Sequence, residues 1–118
     1  MQKSFALIVI TLCTFYTEHV QAGYTRHIQK GFMGGNMLFR ALEKDIRGGV
    51  GYESGVGNGF ITGVYDSYND IVFCPPKGVT KGQVDQIVYN YMQKHPGLWD
   101  KPALHSVLNA LRETYSCK

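Results

Sequence analysis

Thr80-Lys81-Gly82-Gln83-Val84-Asp85-Gln86-Ile87-Val88-Tyr89-Asn90-Tyr91-Met92 decides the fold class. Thr80 with Gln83 three residues on has the form of a capping box, in which each side chain satisfies a backbone N–H left free at a helix start. Val84, Ile87, Val88, Tyr91 and Met92 then recur at helical spacing and mark one apolar face, and Pro96-Gly97 ends the pattern. The stretch is a capped amphipathic helix, and its apolar face needs partners of the same kind.

Those partners lie on both sides. Upstream, Met33, Met37, Leu38, Ala41, Leu42 and Ile46 fall on one helical face, with Gly48, Gly49 and Gly51 ending that helix. A glycine-rich loop is expected from Gly48 to about Gly57. Phe60, Ile61, Val64, Tyr65, Tyr68, Ile71 and Val72 form the next stripe, which Pro75-Pro76 stops just after Cys74. Downstream, Asp100 is the expected N-cap, with Pro102 in the first turn, of a helix whose stripe is Leu104, Val107, Leu108 and Leu111. Little in the chain alternates like a strand. The expected fold is therefore all-α, a small bundle of four helices (or four to five) with short connections and one disulfide. Gly55, Gly59, Gly63 and Ser67 stand four apart. If the second helix extends back that far, they make a strip of small residues, read here as close packing inside the bundle rather than as an oligomer seam.

The 118 residues are one domain's worth of sequence. At 44% hydrophobic and 18% charged, the chain can bury a core and does not have the composition of a disordered protein. Its net charge of +3 comes without any basic run, so nucleic acid is not an expected partner. Lys3, the apolar run Phe5 to Phe15 and the small residues of Val20-Gln21-Ala22 form a secretory signal over residues 1–22. The run is short of the roughly 20 residues a membrane span needs, and no second one follows, so the mature form is not expected in a membrane. Cys13 leaves with the signal. The mature domain, residues 23–118, then holds Cys74 and Cys117. In an oxidising compartment such a pair forms a disulfide, the competing reading being two buried free thiols.

The search for chemistry finds no catalytic constellation. Cys74 and His95 could act as thiol and base, but nothing beside Cys74 supplies the positive field that lowers a thiol pKa. His27, His95 and His105 lack metal-ligand spacing, and the glycines from Gly48 to Gly63 match neither a dinucleotide fingerprint nor a P-loop. Asp66 and Asp70 are read as solvated helix acids. The expectation is a protein that is no enzyme and has no catalytic residue, cofactor or metal.

The strings Gly35-Asn36-Met37-Leu38, Gly59-Phe60-Ile61-Thr62-Gly63-Val64-Tyr65-Asp66 and Phe73-Cys74-Pro75-Pro76, with Val79-Thr80 and Gln83, resemble the Rap/Tai family of periplasmic immunity proteins. Tyr91 to His95-Pro96, then Ala103, Val107, Ala110-Leu111 and Tyr115-Ser116-Cys117, are similar to the family's closing pattern. The resemblance implies a helical periplasmic protein that binds a cognate toxin enzyme, a peptidoglycan amidase delivered by type VI secretion, and inhibits it by occlusion. The family commonly carries a second cysteine pair, near the positions of Leu42 and Gly57. Neither is cysteine here, so the resemblance implies a less restrained loop between the first two helices.

Occlusion needs an exposed anchor with polar neighbours. Tyr52, Glu53 and Ser54, set among glycines, are the expected contact residues, and a solvated linker is the equal alternative. Another class of protein, a periplasmic chaperone or structural envelope protein without an effector, would be marked by a high density of acids. The mature chain has eight, all of the nine but Glu18. A homodimer stays open. Secretion should remove residues up to about Ala22 and leave Cys74 joined to Cys117, and intact mass with alkylation of periplasmic material checks both; two alkylatable thiols would contradict the pairing.

Overall fold

A computed structural model describes residues 32–118; the expected signal segment 1–22, Cys13 and His27 lie outside the described residues. Four α-helices, α1 (Gly35–Ile46), α2 (Tyr52–Tyr68), α3 (Lys81–Lys94) and α4 (Ala103–Thr114), follow in order, with a single 3-10 turn, Pro96–Leu98, between the last two. No strand occurs among the described residues, where the only extended pairings are two isolated bridges. The all-α fold is the one the periodicity implies.

Each helix contributes its apolar stripe to one core. Leu38 and Leu42 from α1, Ile61 and Val64 from α2, Val84, Val88 and Met92 from α3, and Val107, Ala110 and Leu111 from α4 are buried together with Phe73. Burial of this kind stabilises by roughly 1.5–3 kcal/mol for each large apolar side chain, which outweighs the weak intrinsic preference of any of these short segments for helix. At the rim, Phe39 stacks between Trp99 and Tyr89, with ring centroids 4.2 and 5.3 Å away. The Trp99 indole N–H donates to the Met92 carbonyl at 2.8 Å, so the 3-10 turn is tied to the end of α3.

The helix ends show where local chemistry and tertiary contact divide the work. The capping box of α3 forms: the Gln83 backbone N–H donates to Thr80 Oγ1 at 3.3 Å, and the Thr80 N–H donates to Gln83 Oε1 at 2.8 Å. Asp100 does not cap α4. Pro102 is the N-cap itself, and the Ala103 N–H donates to the Met33 carbonyl at 2.9 Å. The start of α1 likewise has no side-chain cap. Its Gly35 and Asn36 N–H groups donate to the carbonyls of Lys101 and Trp99 at 2.8 and 2.7 Å. A neighbouring loop satisfies the free donors of α1, which is why no capping residue was needed in its sequence.

The second helix differs most from expectation. It starts at Tyr52, so the glycine-rich loop shrinks to a turn over residues 47–51, and it ends at Tyr68 rather than running to Val72. Asn69 caps it, its side-chain amide donating to the Tyr65 carbonyl at 3.2 Å, and Asp70 turns left-handed at φ +59°. That reversal leaves Ile71 75% exposed and drives Phe73 fully into the core. Asp66 and Asp70 are accordingly not two turns of one helix.

The strip of small residues is also turned the other way. Gly55, Gly59, Gly63 and Ser67 are exposed, and a β-carbon built on any of the three glycines meets nothing within 4 Å. The close approach occurs instead at Gly57, where a β-carbon would stand 2.7 Å from that of Ala41 on α1. Gly57→Ala should therefore destabilise by about 1–3 kcal/mol through overpacking. Gly59→Ala should stabilise by about 0.5–1 kcal/mol, because only helix propensity changes there. Urea unfolding of both variants checks the pair, and equal effects would contradict the orientation of α2.

Candidate partner-binding surface

The residues expected to meet a partner all lie in the first turn of α2, on a turn that is rigid rather than adaptable. Arg47, Gly48 and Gly49 donate backbone N–H bonds back to Glu43, Asp45 and Lys44 at 3.2, 2.9 and 2.8 Å. Gly48 takes φ +78°, a left-handed conformation that glycine adopts without strain, and this lets the chain leave α1 and reverse at once. The Ser54 hydroxyl donates to the Gly49 carbonyl at 3.1 Å and closes the turn from the other side. The glycines are the means by which the chain folds tightly here. The less restrained loop implied by the missing cysteine pair is thus replaced by a turn held with backbone hydrogen bonds.

Of the three expected contact residues, two are available. Tyr52 is 83% exposed and Ser54 only 4%, its side chain being committed to the turn. The Glu53 carboxylate lies 3.6 Å from Lys44 Nζ, both largely in solvent, where such a pair is worth about 0–1 kcal/mol. Sequence reasoning missed the exposure of Val50, 91%, on the turn, and of Ile46, 39%, at the end of α1 just before it. Ile46 was read as core because it continues the stripe of α1, although it falls on the last residue of that helix. A shallow concavity of about 420 Å³ beside the turn is lined by Arg40, Glu43, Lys44, Arg47, Gly49 and Glu53.

Behind the turn runs a chain of polar contacts across three helices. Asp45 of α1 accepts from the Asn58 amide of α2 at 3.1 Å. Asn58 Oδ1 accepts from Lys81 Nζ of α3 at 2.9 Å, and Lys81 also donates to Asp85 Oδ2 at 2.6 Å. Asp85 is 5% exposed, and its Oδ1 has no hydrogen-bond partner. Burial raises its pKa above the ordinary carboxylate value; the Lys81 hydrogen bond and charge oppose that rise and the Asp45 charge adds to it.

At the opposite end of α2, Cys74 and Cys117 are joined, with Cα atoms 4.8 Å apart. The Cys74 N–H donates to the Tyr115 carbonyl at 2.7 Å, so the link fastens the end of α4 to the α2–α3 connection. Closing a loop with a sequence separation of 43 residues restricts the unfolded chain by roughly 4 kcal/mol. His95 caps α3, its Nδ1 2.7 Å from the Tyr91 carbonyl and its ring stacked on that of Tyr91, while His105 is exposed on α4. Among the described residues no three histidines, cysteines or acids gather as a metal would require, and no helix is long and apolar enough to cross a membrane.

A carboxyl whose pKa is raised by folding holds its proton more tightly in the fold than in the unfolded chain. Asp85 therefore adds stability as pH falls from above its raised pKa to the ordinary value. Asp85→Asn should melt higher than the wild type at neutral pH, and the difference should shrink on acidification toward about pH 4, the ordinary carboxylate range. Parallel melting curves check this; a difference that grows in acid would contradict it.

No curated protein matches the sequence significantly. A family model does, that of the Rap1a immunity proteins, and it covers residues 34–117. That span takes in all four helices, the pinned turn and both cysteines. With its helical bundle and its Cys74–Cys117 link, the chain belongs to the Rap1a immunity protein family.

Proposed function

We propose that the protein is a periplasmic immunity protein that binds a peptidoglycan amidase delivered by type VI secretion and occludes its active site, protecting the producing cell and its kin. The family match over residues 34–117 carries this reading. The disulfide supports an oxidising compartment as the place of action, and the signal segment supplies the route there. The mature form is residues 23–118, soluble and without cofactor.

Inhibition by occlusion needs binding alone. It requires a surface that loses little freedom on association and presents a large anchor with polar groups beside it. Tyr52 meets the first demand, because its ring has few rotatable bonds and its backbone is fixed by the turn. Glu53 supplies a polar neighbour whose pairing with Lys44 is weak enough to exchange for a contact to the enzyme.

The test is calorimetric titration of the mature protein into the protein that the adjacent reading frame encodes, with peptidoglycan amidase activity followed in parallel. Wild type should bind and abolish cleavage of peptidoglycan. Tyr52→Ala should lose on the order of 2 kcal/mol of affinity, roughly thirtyfold, with little change in melting temperature. Equal affinities would move the contact away from Tyr52, and failure of the wild type to bind would overturn the immunity reading itself.

A further inference from the structure

The turn between α1 and α2 carries more apolar surface than its own fold uses. Ile46, Val50 and Tyr52 are 39%, 91% and 83% exposed within seven residues of chain, at a point where the backbone reverses and projects outward. Single exposed apolar residues are ordinary, but three within seven residues, on the turn and at the two helix ends it joins, mark a candidate interaction site. The surrounding hydrogen bonds already hold the backbone in place, so little ordering would accompany docking.

The charges bordering this knuckle are uneven. Arg40 and Lys44 on α1 and Arg47 at its C-cap follow at helical spacing and line the concavity next to the turn, together with Glu43 and Glu53. Arg47 meets Glu43 at 2.8 Å and Lys44 meets Glu53 at 3.6 Å, while Arg40 makes no ion pair among the described residues. Asp45 is held by Asn58 at 3.1 Å and lies outside the row. Among the residues that line the concavity, three cations thus stand against two acids. Both ion pairs are solvent-exposed, so each can be exchanged for a partner's group at small loss.

We propose that the Ile46, Val50 and Tyr52 knuckle is received by a concave, apolar site on the toxin enzyme whose rim carries acidic groups facing Arg40, Lys44 and Arg47. The proposal rests on the immunity reading and specifies the chemistry of the enzyme face. A convex apolar projection gains contact only in a hollow that excludes water, and a cationic border steers it toward negative potential. The two features act on different rates. The apolar contact governs how long the complex lasts, and the charges govern how fast it forms.

Stopped-flow association and dissociation of the protein encoded by the adjacent reading frame with four variants separate them. Val50→Asp forces a carboxylate into the apolar hollow and should weaken binding at least about tenfold through faster dissociation. Arg40→Glu should slow association at low salt, with the difference vanishing at high salt. Lys77→Glu makes the same charge change beyond the far end of α2, whose 17 residues span roughly 25 Å, and should slow association less. Arg40→Gln should give an intermediate rate. Unchanged dissociation in Val50→Asp would overturn the apolar hollow, and equal slowing by Arg40→Glu and Lys77→Glu would overturn the acidic rim. Both failures leave wild-type binding intact, whereas absence of wild-type binding would remove the immunity reading on which the proposal rests.

Discussion

The approach of α2 to α1 at Gly57 is the constraint on which the rest of the molecule depends. With a β-carbon there the two helices would collide at 2.7 Å from the β-carbon of Ala41. Without one, the backbones come close enough for Ser54 to reach the Gly49 carbonyl and for Asn58 to reach Asp45. Both bonds lie within one turn of Gly57 on the same helix. The same approach fixes how sharply the chain must reverse between the helices, and so which residues the turn pushes into solvent. Close packing at one glycine and display of a surface several residues away are two effects of one helix crossing.

The helices with clear apolar periods, α1, α3 and α4, could be read from the sequence because burial of a stripe repeats at helical spacing and leaves its mark on residue type. The start of α2 could not, because a glycine carries no side chain to show which way it faces. Gly55, Gly57 and Gly59 look alike in a sequence, yet one packs inward and two face solvent. The end of α2 was hidden for another reason. Ile71, Val72 and Phe73 continue the apolar pattern, and only the left-handed backbone at Asp70 sends Ile71 outward and Phe73 inward. At α4 the local signal for a cap at Asp100 lost to a contact from distant sequence, the carbonyl of Met33.

The candidate surface was legible in part for similar reasons. Tyr52 and Glu53 drew notice as large groups among glycines, and they do face solvent. Ser54 belonged to the same string but is consumed by the turn. Ile46 was read as core because it continues the stripe of α1, and Val50, one apolar residue among glycines, carried no pattern to mark it. The links from Asp45 to Asn58 and from Asn58 to Lys81 join residues far apart in sequence and no local pattern announces them, whereas Lys81 and Asp85 stand four apart on α3. Together these contacts set a buried carboxylate behind the turn. Membership of the Rap1a immunity family places these features in a protein whose task is to hold another.

Amide hydrogen exchange of residues 23–118, alone and with the proposed amidase partner, tests that account most directly. The N–H groups of Val50, Tyr52, Glu53 and Ser54 lie at the turn and the first turn of α2, where helix donors lack internal partners and exchange readily. The account predicts that the amidase slows exchange over residues 46–54 and leaves the outer faces of α3 and α4 unchanged. Protection confined to α3, α4 or the disulfide-linked end would contradict it.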